Sequence, residues 1–152
     1  MRLVVLLMLL CLQSCGSETV ARGSIEGKLV AKIKASCQSE KVCTIRVRDV
    51  TNFAWDKMYV FPYTVNREEV EGVVGVPLPE WEEFKRMIIF TNGGKLVYFE
   101  NDPTNIEHPI NEQVVFDIPD RAGHRAYGPD PVFEVSQKDS DKDLYYELKL
   151  VQ

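Results

Sequence analysis

The stretch RMIIFTNGGKLVYFEN, residues 86–101, decides the fold that the sequence predicts. Two runs rich in β-branched and aromatic residues flank Asn92-Gly93-Gly94, a pattern typical of a β-hairpin. A tight hairpin turn requires positive φ angles, which asparagine and glycine adopt more readily than other residues. The sequence therefore predicts two antiparallel strands, 86–91 and 95–101.

Alternating apolar and polar residues predict further strands on both sides of this hairpin. These strands cover residues 42–50, 56–63, 113–118, 132–137 and 143–151. Pro62 ends the second of them or places it at a sheet edge. Two glycines and two prolines within residues 121–131 predict a long surface loop before the last two strands.

Residues 24–36 fit two patterns. Ile25, Leu29 and Ile33 recur every four residues behind Ser24, as in a helix with an N-cap. Residues 29–35 also alternate in the manner of a strand. Few residues in the segment are β-branched and several are lysines, which favours the helix.

A second helix is predicted with Thr64 or Asn66 as its N-cap, and Asn66 and Glu69 have the spacing of a capping box. The buried face of this helix is expected to carry Val70, Val73 and Val74. Gly75 is expected to end it.

One helical turn is predicted within residues 79–85, with Trp81 and Phe84 packed against the core. Together these elements predict one α+β domain over residues 24–152. It contains a mainly antiparallel sheet of six to seven strands with one or two short helices.

The first residues of the chain predict export from the cytoplasm. Arg2 precedes an apolar run at residues 3–12. As a helix this run spans roughly 15 Å, about half of a ~30 Å hydrocarbon core. It is too short to cross a bilayer and has the size typical of a secretory signal.

Leu12-Gln13-Ser14-Cys15 follows this run and resembles the lipobox of bacterial lipoproteins, although Gln13 departs from the usual small or β-branched residue. The resemblance implies that the Cys15 thiol is acylated and that cleavage occurs just before it. Residues 1–14 are then a signal peptide and residues 15–23 a tether. An ordinary secretory signal is the alternative, but it lacks a clean small-x-small cleavage site.

A lipid-anchored protein of the cell envelope is therefore expected, held to the membrane by several acyl chains such as palmitate. Gly16, in place of aspartate, resembles the pattern of lipoproteins sent to an outer membrane. In a cell with two membranes we expect the domain at the periplasmic face of the outer membrane.

Cys37 and Cys43 remain after Cys11 is removed with the signal and Cys15 is acylated. An oxidising compartment favours a disulfide between them. A metal site is the rival interpretation, but His108 and His124 lack a partner at ligand spacing. We predict the disulfide and no metal.

The charge of the chain argues against nucleic acid as a partner. The chain contains 18 basic and 23 acidic residues. Removal of residues 1–14 takes away Arg2 and leaves 17 basic against 23 acidic residues, a formal charge of −6. A negative surface repels phosphate backbones.

The segment FAWDKMYVFPYT, residues 53–64, resembles a signature of small bacterial lipoproteins and secreted proteins. In these, a Trp-Asp-Lys strand start leads to an aromatic strand, a Pro-Tyr-Thr turn and an acidic helix. The resemblance spans roughly residues 25–100 and implies the fold and the compartment but no activity. An aromatic strand is more often core than binding surface.

The sequence contains no recognisable catalytic motif, phosphate-binding loop or cofactor motif. The candidate binding surface consists of aromatic residues in the signature and residues of the predicted loop: Trp55, Tyr63, Arg121, His124, Arg125 and Tyr127. We predict a non-catalytic binding module with a protein partner in the envelope. The alternatives are a periplasmic inhibitor or immunity-type protein acting on a toxin or lysozyme, an accessory subunit of an envelope complex, or an enzyme whose site the sequence does not reveal.

Overall fold

A computed structural model of the chain describes residues 20, 23–37, 42–103, 108–119, 123–140 and 143–151. Two helices and eight strands lie within these residues. In chain order they are α1 (Ile25–Ser36), β1 (Cys43–Arg46), β2 (Lys57–Phe61), α2 (Arg67–Val74), β3 (Arg86–Asn92), β4 (Lys95–Asp102), β5 (Val114–Phe116), β6 (Arg125–Tyr127), β7 (Val132–Asp139) and β8 (Leu144–Leu150).

The strands form two four-stranded sheets. The first sheet has the order β1-β7-β8-β5, and the second has the order β4-β3-β2-β6. All neighbouring strands are antiparallel except β5 and β8, which are parallel. An α+β fold with mainly antiparallel strands is thereby confirmed. The predicted strand count of six to seven is too low, because β6 lies in a segment predicted as loop.

The hairpin of β3 and β4 is confirmed, with Gly93 and Gly94 at φ angles of 57° and 73°. The carboxylate of Asp56 supports this turn by accepting a hydrogen bond of 2.7 Å from the Gly93 amide. The Asp56 amide donates to the Thr91 carbonyl at 2.9 Å. The aspartate of the Trp-Asp-Lys motif therefore joins β2 to the hairpin turn.

Helix α1 confirms the helical interpretation of residues 24–36. The Ser24 hydroxyl accepts a hydrogen bond of 2.9 Å from the Gly27 amide and so caps the helix. The predicted stripe of Ile25, Leu29 and Ile33 is buried. The Cys37–Cys43 disulfide joins the end of α1 to β1.

Helix α2 has the predicted capping box. The Asn66 side chain accepts from the Glu69 amide, the Glu69 carboxylate accepts from the Asn66 amide, and both hydrogen bonds measure 3.0 Å. Gly75 ends the helix with a φ of 79°. Val70 and Val74 are buried as predicted, but Val73 is exposed.

The apolar side chains form two cores on opposite faces of the second sheet. The central core contains side chains from α1 and from both sheets. The outer core joins the other face of the second sheet to α2. Along β2, Met58 and Val60 lie in the central core, whereas Tyr59 and Phe61 lie in the outer core. The second sheet is therefore covered on both faces.

The strand predicted over residues 42–50 ends at Arg46, and Val47–Val50 forms a 3₁₀ turn. Val47 is buried in the turn as it would be in a strand. The alternation of apolar and polar residues therefore does not reveal that the strand ends before Val47. Arg48 donates to the Pro129 carbonyl at 2.6 and 3.0 Å. Its guanidinium lies 5.1 Å from the centroid of the Trp55 ring. Contacts distant in sequence therefore hold this turn.

The prediction of a helical turn within residues 79–85 is wrong. Phe84 has a φ of 59°, which a right-handed helical turn excludes. Phe84 is 66% exposed and does not contribute to the core. Trp81 is half-buried and packs against the outer core as expected.

The loop predicted over residues 121–131 contains the three residues of β6. These residues pair with β2, with Val60 opposite Arg125 and Met58 opposite Tyr127. The glycines and prolines of residues 121–131 predicted a loop, but pairing with the distant strand β2 determines the local structure. Among the described residues, no helix has both the length and the apolar character needed to cross a membrane.

Candidate functional site

Two of the predicted binding residues lie in the central core. Trp55 is 4% exposed, and its ring meets Phe90 edge to face at 5.0 Å between centroids. Its indole nitrogen donates to the Thr51 hydroxyl at 3.0 Å. Tyr127 is also buried and packs edge to face on Phe133 at 5.0 Å. Both side chains therefore contribute to packing in this structure.

Another predicted residue, His124, lies on the opposite face of the second sheet from these two. His124 is half-buried and stacks on Phe61 at 5.4 Å, on the outer-core face of the second sheet. Tyr63 is half-buried just beyond the end of β2. Arg121 and Cys15 lie outside the described residues. A shared binding role for the six residues stays a prediction.

Arg125 lines a groove of about 400 Å³ beside strand β6. The rest of the lining includes Tyr127, two prolines and one leucine: Pro129, Pro131 and Leu150. Ligand pockets commonly combine an apolar lining with a few polar groups that set orientation. In this groove, the predicted binding residues Arg125 and Tyr127 contribute to a real concavity.

The two charged residues that line this groove, Asp130 and Arg125, differ in their ion pairing. Asp130 lies 3.5 Å from the Arg46 guanidinium. The Arg125 guanidinium stands 5.9 Å from the centroid of the Tyr127 ring. Within the described residues no carboxylate forms an ion pair with Arg125.

A second polar site, which the sequence did not predict, is buried where α1 meets β3 and β4. The Glu100 carboxylate accepts hydrogen bonds from the Ile25 and Glu26 amides at 2.7 and 3.1 Å. The Tyr98 hydroxyl donates to the same carboxylate. The first amides of a helix lack partners within the helix, so Glu100 supplies one from the second sheet.

Glu26 extends this site to both sheets. Its carboxylate accepts from the Arg86 guanidinium on β3 and from the Val114 amide on β5, each at 2.7 Å. Arg86 also donates to the Val114 carbonyl at 2.7 Å. Glu26 is 0% exposed, so this ion pair is protected from solvent.

Asp102 completes the site, which we name the buried carboxyl cluster: Glu26, Arg86, Tyr98, Glu100 and Asp102. Burial and the negative charges of Glu26 and Glu100 raise the pKa of Asp102 well above its ordinary value, against an opposing effect of Arg86. Burial likewise raises the pKa of Glu100, although its hydrogen bonds oppose this. Burial and Glu100 together raise the pKa of Tyr98. Burial therefore opposes ionisation of Asp102 and Glu100, whereas the amide hydrogen bonds of Glu100 favour its charged form.

The cluster was not predicted because its residues resemble a solvent-exposed pattern. Tyr98, Glu100 and Asp102 alternate along β4, as the polar face of a half-buried strand does. Their inward orientation follows from contact with α1, which lies far away in sequence. Within the described residues, no group of three or more His, Cys, Asp or Glu side chains is arranged to hold a metal ion.

Comparison of the chain with protein-family models, with curated proteins and with solved structures finds no match.

We expect Arg86→Met to lower the free energy of unfolding by about 3–5 kcal/mol, because it leaves the Glu26 charge buried without its cation. Urea denaturation of the purified protein measures this change. Adding Glu26→Gln to the variant removes the unpaired charge, and we expect it to restore part of the loss.

Lys138→Met is the matched control, because Lys138 pairs with Glu147 at 3.5 Å on the exposed surface. This variant should change the free energy of unfolding by less than about 1 kcal/mol. Equal effects of the two substitutions would contradict the buried role of Arg86.

Proposed function

We propose that this chain is a lipid-anchored protein of the cell envelope that binds a protein partner without catalysing a reaction. The groove beside Arg125 takes a segment of that partner. The observation that carries this proposal is the Arg125 guanidinium at an apolar groove, where it forms no ion pair with any carboxylate of the described residues. A mainly apolar concavity with a few polar groups that set orientation is typical of a ligand-binding site.

The chemistry of the groove specifies the partner segment. A carboxylate on the partner pairs with Arg125, because Asp130 already has Arg46 as its cation. Apolar side chains beside that carboxylate pack on Pro129 and Leu150.

The position of the groove indicates the conformation of the segment. Strand β6 is the last strand of the second sheet, so one side of its backbone has no strand partner in the described part of the chain. An extended peptide can hydrogen-bond along such an edge. The ligand is therefore an extended apolar segment that presents an aspartate or glutamate.

The anchor is supported by the resemblance of Leu12-Gln13-Ser14-Cys15 to a lipobox. The disulfide agrees with an oxidising compartment, because a Cys37–Cys43 bond persists outside the cytoplasm. A tether at residues 15–23 then leads directly to α1. The proposal has two forms, which differ in where the partner comes from. If the partner is a foreign toxin or lysozyme, this chain is an inhibitor; if it is a resident envelope protein, this chain is an accessory subunit.

The groove is tested with the full-length protein in detergent and an array of extended hexapeptides. Each apolar peptide carries a central Asp or Glu, and its matched peptide carries Asn or Gln. We expect the acidic peptides to bind about tenfold more tightly, because a charge-assisted hydrogen bond to Arg125 is lost in the amides. Arg125→Gln should abolish this preference.

Lys138→Gln is the matched control, since it removes one exposed cation on β7 and should leave the preference intact. Equal binding of acidic and amide peptides, or a preference that survives Arg125→Gln, would exclude the groove as the binding site.

The anchor is tested separately by mass spectrometry of the mature protein from bacterial membranes. We expect an acylated N-terminus at Cys15. Cys15→Ala should release the protein from the membrane fraction, because several acyl chains are needed for stable attachment. An unacylated N-terminus at another residue would overturn the anchor and leave the groove untouched.

A further inference from the structure

The buried carboxyl cluster contains more negative groups than its cation can neutralise. Glu26, Glu100 and Asp102 are 0%, 8% and 2% exposed, and Arg86 is the cation placed among them. Glu26 and Asp102 each have one buried oxygen without a hydrogen-bond partner. Three ionised carboxylates beside one guanidinium are costly in a site that water does not reach.

A proton between two of these carboxyls resolves the mismatch. Asp102 and Glu100 are two residues apart on β4 and both are buried, so their carboxyl groups project from the same face of the strand. Two ionised carboxylates side by side can only accept and repel each other, whereas a proton on one of them supplies a donor for the other. A protonated Asp102 can donate to Glu100 and leave the Glu100 charge on the first amides of α1.

We propose that the buried carboxyl cluster is a proton-dependent clasp, in which one proton shared by Glu100 and Asp102 keeps the start of α1 docked on β4. Loss of this proton places a second negative charge beside Glu100 and close to Glu26. Because Glu100 and Glu26 both hold α1, this repulsion weakens the docking of the helix on the second sheet.

The charged and titratable groups around the shared proton come from three elements in the described part of the chain. Helix α1 contributes Glu26, β3 contributes Arg86, and β4 contributes Tyr98 with the two carboxyls. The contribution of β5 is the Val114 backbone, which bonds both Glu26 and Arg86.

Arg86 connects the shared proton to α1. Asp102 lies directly opposite Arg86 in the pairing of β3 and β4. An ionised Asp102 therefore competes with Glu26 for this guanidinium. Proton loss weakens α1 both through repulsion and through this competition.

The direction of the pH dependence follows from the raised pKa of Asp102. Between the ordinary carboxyl pKa and the raised one, the folded protein holds a proton that the unfolded chain releases. This contribution to stability is complete below the ordinary pKa. It is lost as pH rises through the raised pKa.

The test measures the folding constants of wild type and Asp102→Asn by urea denaturation at a series of pH values. Asparagine keeps the shape and a donor but cannot release a proton. We expect the folding constant of the variant, relative to wild type, to rise with pH above about 4, by up to about tenfold per pH unit. The rise should stop at the raised pKa.

Asp139→Asn is the matched control, because Asp139 is exposed at the end of β7. Its pH profile should parallel that of wild type. If Asp102→Asn also ran parallel to wild type, the proton-dependent clasp would be refuted.

A second measurement needs no variant. In the wild-type protein, NMR follows the Ile25 and Glu26 amides, which bond to Glu100. We expect both amide shifts to change together with pH above the ordinary carboxyl range. Amide shifts that change only within the ordinary carboxyl range would overturn the shared proton even if the variant failed to fold.

Discussion

The hydrogen bonds from the first amides of α1 to the Glu100 carboxylate are the interaction on which the rest of this structure depends. They fix the start of α1 to the second sheet, and Glu26 fixes the same turn to β5 of the first sheet. The Cys37–Cys43 disulfide fixes the other end of α1 to β1. One helix is therefore bound to both sheets, and its apolar stripe fills the central core between these attachments.

This arrangement explains why charged residues remain in the core. A buried ion pair is weak evidence for stability, because desolvation offsets much of its attraction. Its hydrogen bonds, however, are directional, and those of Glu26 and Glu100 match α1 to one position on β4 and β5. An apolar contact alone would tolerate a small shift of the helix. In the proposed function, this position also determines where the tether leaves the domain.

The sequence predicted those elements whose causes are local. Asn92-Gly93-Gly94 specifies a hairpin, Asn66 and Glu69 specify a capped helix, and the spacing of Ile25 and its partners specifies α1. Two elements held by distant contacts were missed. Strand β6 exists because it pairs with β2, and the 3₁₀ turn at Val47–Val50 is held through Arg48.

The candidate sites follow the same division. Arg125 was predicted as a binding residue from its loop, and it does line a groove. Trp55 was predicted as a binding residue because it belongs to the aromatic segment 53–64, but it lies in the central core. Nothing in the sequence indicates that Glu100 is buried, because acidic residues at alternate positions of a strand predict a solvent-exposed face. Only the contact between β4 and α1, which are distant in sequence, reveals that this face is buried.

Native-state hydrogen exchange of the Ile25 and Glu26 amides tests the central role of Glu100 most directly. Amides in the first turn of a helix ordinarily exchange through local fraying, because the helix gives them no acceptor. If Glu100 binds them as described, both amides should exchange only through global unfolding, with the same denaturant dependence as the core strands. Rapid exchange that is independent of denaturant would contradict the account.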